Sequence, residues 1–219
     1  MRAVHTILLA FGFGVGSNAY AEVTTDDRLW LSAAVRGDLA KDVRAQFTQQ
    51  IRLPLAGEYN QQIMPALELK YTGVPHVSVG TGGRYTFETL EDKETMRAFR
   101  MHGDLGLSSP EIGPIEFGYR LRYQHESSAS IDPSKNRIRN RFDAQISTGS
   151  IVRPGAFFEH YLDPKGENGN KAKKYRLGAD LGIKIHQDHR LKIKLFQDTE
   201  LDGDGDKVRV VALGYRYSV

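Results

Sequence analysis

Cysteine is absent from the chain. That excludes disulfides and thiolate metal sites, and it leaves export into an oxidising compartment free of thiol pairing. A charge excess is also missing: 30 Lys and Arg stand against 27 Asp and Glu, a balance that does not suggest a nucleic-acid partner. Beyond the first residues no apolar run approaches the roughly 20 residues of a membrane-spanning helix, and helical periodicity is nearly absent. If the chain occupies a membrane it must do so as a closed barrel, because only helices and closed barrels satisfy every backbone group in lipid. Its hydrophilic average does not oppose this, since each barrel strand gives one face to lipid and the other to the lumen.

What is present begins with an export signal. Arg2 supplies a basic start, residues 6–15 form a short apolar stretch, and Ala19-Tyr20-Ala21 is a small-residue cleavage site before Glu22. Residues 1–21 are therefore expected to be removed, which leaves 29 basic against 27 acidic residues.

The remainder alternates with period two. Ile115, Phe117, Tyr119, Leu121 and Tyr123 oppose Glu116, Gly118, Arg120, Arg122 and Gln124. Residues 43–53 and 175–185 repeat the pattern. Runs of about eleven residues suit tilted membrane-spanning strands and exceed the five or six usual in soluble sheets. The last strand, residues 207–219, places Val211, Leu213, Tyr215, Tyr217 and Val219 on one face. Outer-membrane barrels commonly finish on such a strand, with Val219 here in place of the usual Phe or Trp.

Long polar connections at residues 88–95, 126–135, 163–171 and 201–206 alternate with shorter ones at 72–75, 108–113, 148–150 and 186–189. Outer-membrane barrels show this rhythm, short on the periplasmic side and longer outside. About eleven strand-like segments can be counted. Bacterial single-chain barrels carry even numbers, so an extra strand around residues 23–27 would give twelve, or an unpaired first segment ten. The expected fold is all-β: one transmembrane up-and-down antiparallel barrel of ten to twelve strands over residues 22–219.

Several short signatures recur in order: Leu29-Trp30, Gln50-Ile51-Arg52, Gly83-Arg84-Tyr85, Arg120-Leu121-Arg122-Tyr123-Gln124, Arg137-Ile138-Arg139-Asn140-Arg141-Phe142, Pro154-Gly155-Ala156-Phe157-Phe158-Glu159 and Tyr175-Arg176-Leu177-Gly178. In this order and spacing the chain resembles a bacterial family of outer-membrane β-barrel proteins catalogued only as a domain of unknown function. The resemblance covers almost the whole exported chain. It implies a small barrel in a Gram-negative outer membrane and carries over no activity.

With the apolar faces toward lipid, Arg84, Arg100, Arg120, Arg122, Arg137, Arg139, Arg141 and Arg176 point into the lumen, with His102, Arg153, Glu68, Asp104, Glu116, Glu126, Asp143, Glu159 and Asp180. Rings of arginine select small anions, so the leading expectation is a narrow, passive, porin-like channel with a weak anion preference. The alternative is a closed barrel, its lumen filled by charges that pair with one another, with Glu116 and Glu159 as counter-ions. Its role would then be structural or surface-binding. A lipid-modifying enzyme comes third. His76 and Ser78 have the spacing of one such deacylase but both fall on the lumen face, so no catalytic residues are assigned. His160 has the plain reading of an interfacial histidine.

Asp202, Asp204 and Asp206 resemble half of a calcium loop, but Lys207 and Leu213 occupy the places where Gly and Glu are needed. Gly80-Thr81-Gly82-Gly83 lacks the residues of a phosphate cradle. No cofactor or metal is called for. Trp30, Tyr71, Tyr85, Phe87, Tyr123, Phe158, Tyr161, Tyr175, Tyr215 and Tyr217 fall near strand ends, where membrane-interface girdles form. The partners expected are outer-membrane lipid and lipopolysaccharide, the barrel-assembly machinery and small anionic solutes.

Overall fold

Period-two alternation becomes extended chain almost everywhere in the computed structural model, which describes residues 25–56, 60–89, 95–128, 131–164, 171–201 and 205–219. The export signal expected at residues 1–21 lies outside these residues. Eleven strands form among those described: β1 (Thr25–Ala40), β2 (Val43–Ala56), β3 (Gln62–Val74), β4 (Val77–Thr89), β5 (Thr95–Ser108), β6 (Ile115–Ser128), β7 (Ile131–Ile146), β8 (Val152–Asp163), β9 (Lys171–Lys184), β10 (His189–Glu200) and β11 (Lys207–Ser218). Each is antiparallel to the next, and β1 closes on β11 to complete a barrel.

The strand count corrects the expectation of ten or twelve. In an up-and-down chain an odd number makes the last strand run in the same direction as the first. Closure is accordingly parallel, with Leu29 opposite Val211 and Val35 opposite Tyr217. Residues 25–27, where a twelfth strand was expected, are the start of β1 itself. Each strand edge is thereby paired, so none is left as an open template.

Two ends of the barrel can be distinguished. One carries the connections 41–42, 75–76, 109–114, 147–151 and 185–188; the other carries 57–61, 90–94, 129–130, 164–170 and 201–206. We call them the turn side and the loop side. Asp42 and His76 close the two-residue turns of the turn side with φ of 64° and 62°, left-handed values that few residues other than glycine adopt easily. The loop side is less extended than the sequence suggested. Residues 126–135 were expected to be a long loop, yet Ser128 and Ile131 are still strand, paired with each other across residues 129–130.

The faces of the strands decide where greasy and charged groups lie. Thirty-three large apolar or aromatic side chains are exposed on the described residues, and only six apolar ones are buried: Trp30, Met64, Phe157, Tyr161, Phe196 and Val210. Those six share the inward parity of the arginines. Leu67, Leu177 and Leu195, each more than half exposed, belong to the outward set. A soluble barrel places its apolar faces inside, because leaving each such side chain in water forgoes about 1.5–3 kcal/mol; this barrel has the reverse arrangement.

Two of the aromatic residues assigned to membrane girdles are corrected by this parity. Trp30 and Tyr161 face the lumen and are 8% and 5% exposed. Their neighbours in sequence explain it: Trp30 alternates with Leu29 and Leu31, and Tyr161 follows Glu159 on the same face.

Candidate functional site

Strand register sets a problem inside the lumen. Arg120 lies opposite Arg141, and Arg122 opposite Arg139, on adjacent β6 and β7. Like charges so placed repel. Acids reaching in from other strands resolve it, and the chief one is Glu159 on β8.

Glu159 is fully buried. Its Oε1 accepts from Arg139 Nη2 at 2.7 Å and Nε at 3.1 Å, and from Arg120 Nη2 at 3.2 Å. On the other oxygen, Tyr161 Oη donates at 2.9 Å and Arg176 Nη1 stands 3.6 Å away. Three guanidinium groups from β6, β7 and β9 thus converge on one carboxylate. A buried charge is tolerated only when paired and hydrogen-bonded in this way.

Further pairs extend the network around the barrel. Arg176 also grips Asp198 through Nε and Nη2 at 2.5 and 2.8 Å, and Lys174 reaches the same carboxylate at 3.2 Å. Arg122 holds Asp104 in a two-pronged contact, both bonds 2.5 Å, with Glu68 at 3.6 Å. Asp143 and Asp180 stand 3.2 and 3.8 Å from Arg141, and Asp180 is 3.1 Å from Lys192. Arg100 pairs with Glu126.

Glycine makes two of these approaches possible. His102 Nε2 comes within 3.4 Å of Glu68 Oε1 by passing over β4 at Gly82, where a Cβ would stand 2.7 Å from both His102 Cε1 and the Leu67 carbonyl oxygen. At Gly178 a Cβ would meet Phe196 Cβ at 2.5 Å and Phe157 at 2.8 Å. Its absence lets those two rings meet across β9, with centroids 6.1 Å apart.

Those rings form the apolar part of the lumen filling. Trp30 packs edge-on against Phe196 at 5.1 Å, with Val210 completing the cluster. Guanidinium groups cover the ring faces: Arg52 lies 3.7 Å over Trp30, Arg176 4.2 Å over Phe196 and Arg141 4.2 Å over Phe157. Such cation–π contacts contribute roughly 0.5–2 kcal/mol each and let a positive group sit beside apolar carbon.

On the turn side of this packed layer the lumen opens. Two adjoining cavities, about 780 and 690 Å³, share Gln46, Arg141, Gln145, Lys192 and Lys194 in their walls. The larger runs from the 147–151 connection down to Trp30, Phe157 and Phe196; the smaller runs from Pro75 and His76 down to His102, Asp104 and Arg122. Packed side chains are the floor of a vestibule, and its mouth is the turn side.

The residues singled out from the sequence divide accordingly. Arg120, Arg139 and Arg176 meet at Glu159, Arg122 and Arg141 have partners of their own, and Arg100 has Glu126. Arg84 and Arg137 have no carboxylate within 4 Å among the described residues. Glu116 joins no ion pair among them either; it lies opposite Gln145 in the vestibule wall. His76 and Ser78 stand at the turn-side mouth of the smaller cavity. Asp202 and Asp204 lie outside the described residues, among which no cluster that could hold a metal forms.

Sequence reasoning missed Lys174, Asp198, Phe196 and the cations of β10 and β11. The signal was available, because Arg190, Lys192, Lys194 and Phe196 alternate with Leu191, Ile193 and Leu195. A family model described as a protein of unknown function (DUF2490) matches residues 27–209. Among curated proteins none matches the chain. The chain therefore belongs to the DUF2490 family, and its own fold is a closed eleven-stranded β-barrel.

Proposed function

We propose that this barrel spans the outer membrane of a Gram-negative bacterium, with its turn side toward the periplasm, and that its lumen is sealed rather than conducting. Outward leucines, valines and aromatic residues around the barrel support the membrane setting. The export signal at residues 1–21 and the apolar final strand support the route. The role is that of a closed barrel which binds at its vestibule or serves the envelope structurally.

One observation carries the sealed reading. Glu159, fully buried inside the barrel, joins strands β6, β7, β8 and β9 through three arginines, directly beside the Trp30–Phe196–Phe157 layer. The open anion channel expected from the sequence needs Arg120, Arg122, Arg137, Arg139 and Arg141 free to meet solute. All of these but Arg137 instead have a carboxylate partner.

Planar-bilayer recording of the refolded protein tests this. Sealed barrels leave the bilayer silent, while Trp30→Ala combined with Glu159→Ala gives discrete steps if the barrel still folds. Stable anion-selective steps from the unaltered protein would establish the channel instead.

A further inference from the structure

The vestibule walls are far more basic than the chain as a whole. Twelve Lys and Arg line the two cavities against six Asp and Glu, whereas the full sequence has 30 against 27. The excess is concentrated near the mouth. Lys184 lies opposite Arg190, and Arg190 opposite Arg216, in a row across β9, β10 and β11. Arg36 on β1 stands diagonally from Arg216, opposite Ser218, and its guanidinium is bonded to the side-chain oxygen of Gln46.

Among the described residues none of Lys184, Arg190, Arg216 and Arg36 has a carboxylate within 4 Å. Nor does Lys194, deeper in the wall both cavities share. Arg216 Nε is buried without any hydrogen-bond partner. Around Glu159, Asp104 and Asp180 acids separate neighbouring cations; here register aligns three cations side by side with no carboxylate in the row. Directly opposed like charges destabilise a sheet unless an anion intervenes.

We propose that the vestibule binds a compact polyanion, a molecule with two or more phosphate or carboxylate groups, held by Lys184, Arg190, Arg216 and Arg36, with Lys194 beneath. This rests on the reading of the lumen as a closed-ended vestibule. Cations from four adjacent strands, with Lys194 beneath, carry more positive charge than one orthophosphate balances, and they suit linked anionic groups. Guanidinium forks match phosphate and carboxylate oxygens in pairs. Both cavities fall within the roughly 300–1,000 Å³ of ordinary small-molecule sites.

Calorimetric titration of the full refolded protein in zwitterionic detergent tests the site, with sodium tripolyphosphate, citrate and orthophosphate as probes. Saturable one-to-one binding of tripolyphosphate or citrate, at least tenfold tighter than orthophosphate, is expected, and the tighter of the two identifies the anionic group. Lys184→Gln, Arg190→Gln and Arg216→Gln together should weaken it at least tenfold. A control removing as many cations from outside the vestibule, Arg97→Gln, Lys135→Gln and Lys207→Gln, should change it less than twofold.

Because the vestibule variant relieves repulsion, it should fold at least as stably as the parent. The polyanion should raise the parent's thermal midpoint and leave that of the variant unmoved. No saturable binding, or equal loss in the control, would overturn the proposal. Bilayer recording on the same sample separates the two readings: a conducting barrel that still binds refutes only the seal, and a silent one that does not bind refutes only the site.

Discussion

Glu159 lies directly across the β7–β8 ladder from Arg141 yet pairs with Arg139, whose Nη2 is 2.7 Å away. The diagonal choice frees Arg141 to cover the Phe157 ring and to meet Asp143 and Asp180. It also lets Arg120 and Arg176 reach the same carboxylate from both sides.

Removing that carboxylate should be costly. Glu159→Gln leaves Arg120, Arg139 and Arg176 clustered without their shared counter-charge, and breaking a buried pair typically costs about 3–5 kcal/mol. Heat-modifiable gel mobility in detergent should report a lower unfolding temperature. Adding Arg139→Gln should restore part of the loss, a positive coupling that independent sites would not show.

Gly178 should resist any side chain. A Cβ there meets the Leu195 carbonyl oxygen at 2.6 Å as well as the Phe196 Cβ and the Phe157 ring, and overpacking of this kind costs roughly 1–3 kcal/mol. Gly178→Ala should lower the thermal midpoint and shift the emission of Trp30, the chain's single tryptophan, because Phe196 must move away from it.

Trp30 also reports which face is inside. Buried in the lumen filling, it should be little quenched by brominated lipid chains or by aqueous acrylamide when the barrel sits in vesicles. Strong quenching by brominated lipid would mean that β1 is turned the other way.

Parallel closure can be trapped covalently, since the chain has no cysteine of its own. Val35→Cys with Tyr217→Cys places two thiols at register partners on β1 and β11, within the usual Cα separation of about 4.4–6.8 Å for a disulfide. Oxidation should produce a fast-migrating cross-linked form. Val35→Cys with Leu213→Cys, displaced along β11, should give little.

Much of this was legible from local pattern and some was not. Alternation in β6, with Tyr119, Leu121 and Tyr123 against Arg120, Arg122 and Gln124, fixes both strand and faces, because side chains project with period two whatever the neighbours do. The same parity places Trp30 and Tyr161 inward. Their position near strand ends suggested a girdle, and that cue proved weaker than parity. Closure of β1 on β11 depends on a pairing between chain ends, on which no local pattern bears. The partners of Glu159 were equally hidden, since Arg120 and Arg176 arrive from strands on either side and their reach depends on lumen width. Glu116 shows the limit from the other direction: an acid of the right parity, beside arginines in sequence, lies in the vestibule wall without an ion pair among the described residues.

Orientation of the faces underlies every other statement, and spin-label accessibility measures it directly. Single cysteines placed at successive positions from Leu67 to Tyr71 on β3, labelled and reconstituted in lipid vesicles, should alternate. Positions 67, 69 and 71 should be accessible to oxygen dissolved in the bilayer and shielded from a water-soluble nickel chelate, and positions 68 and 70 should be shielded from oxygen. The opposite phase, or a labelled protein that stays dissolved and monodisperse without detergent or lipid, would contradict a barrel with its apolar faces in the membrane and its charges within.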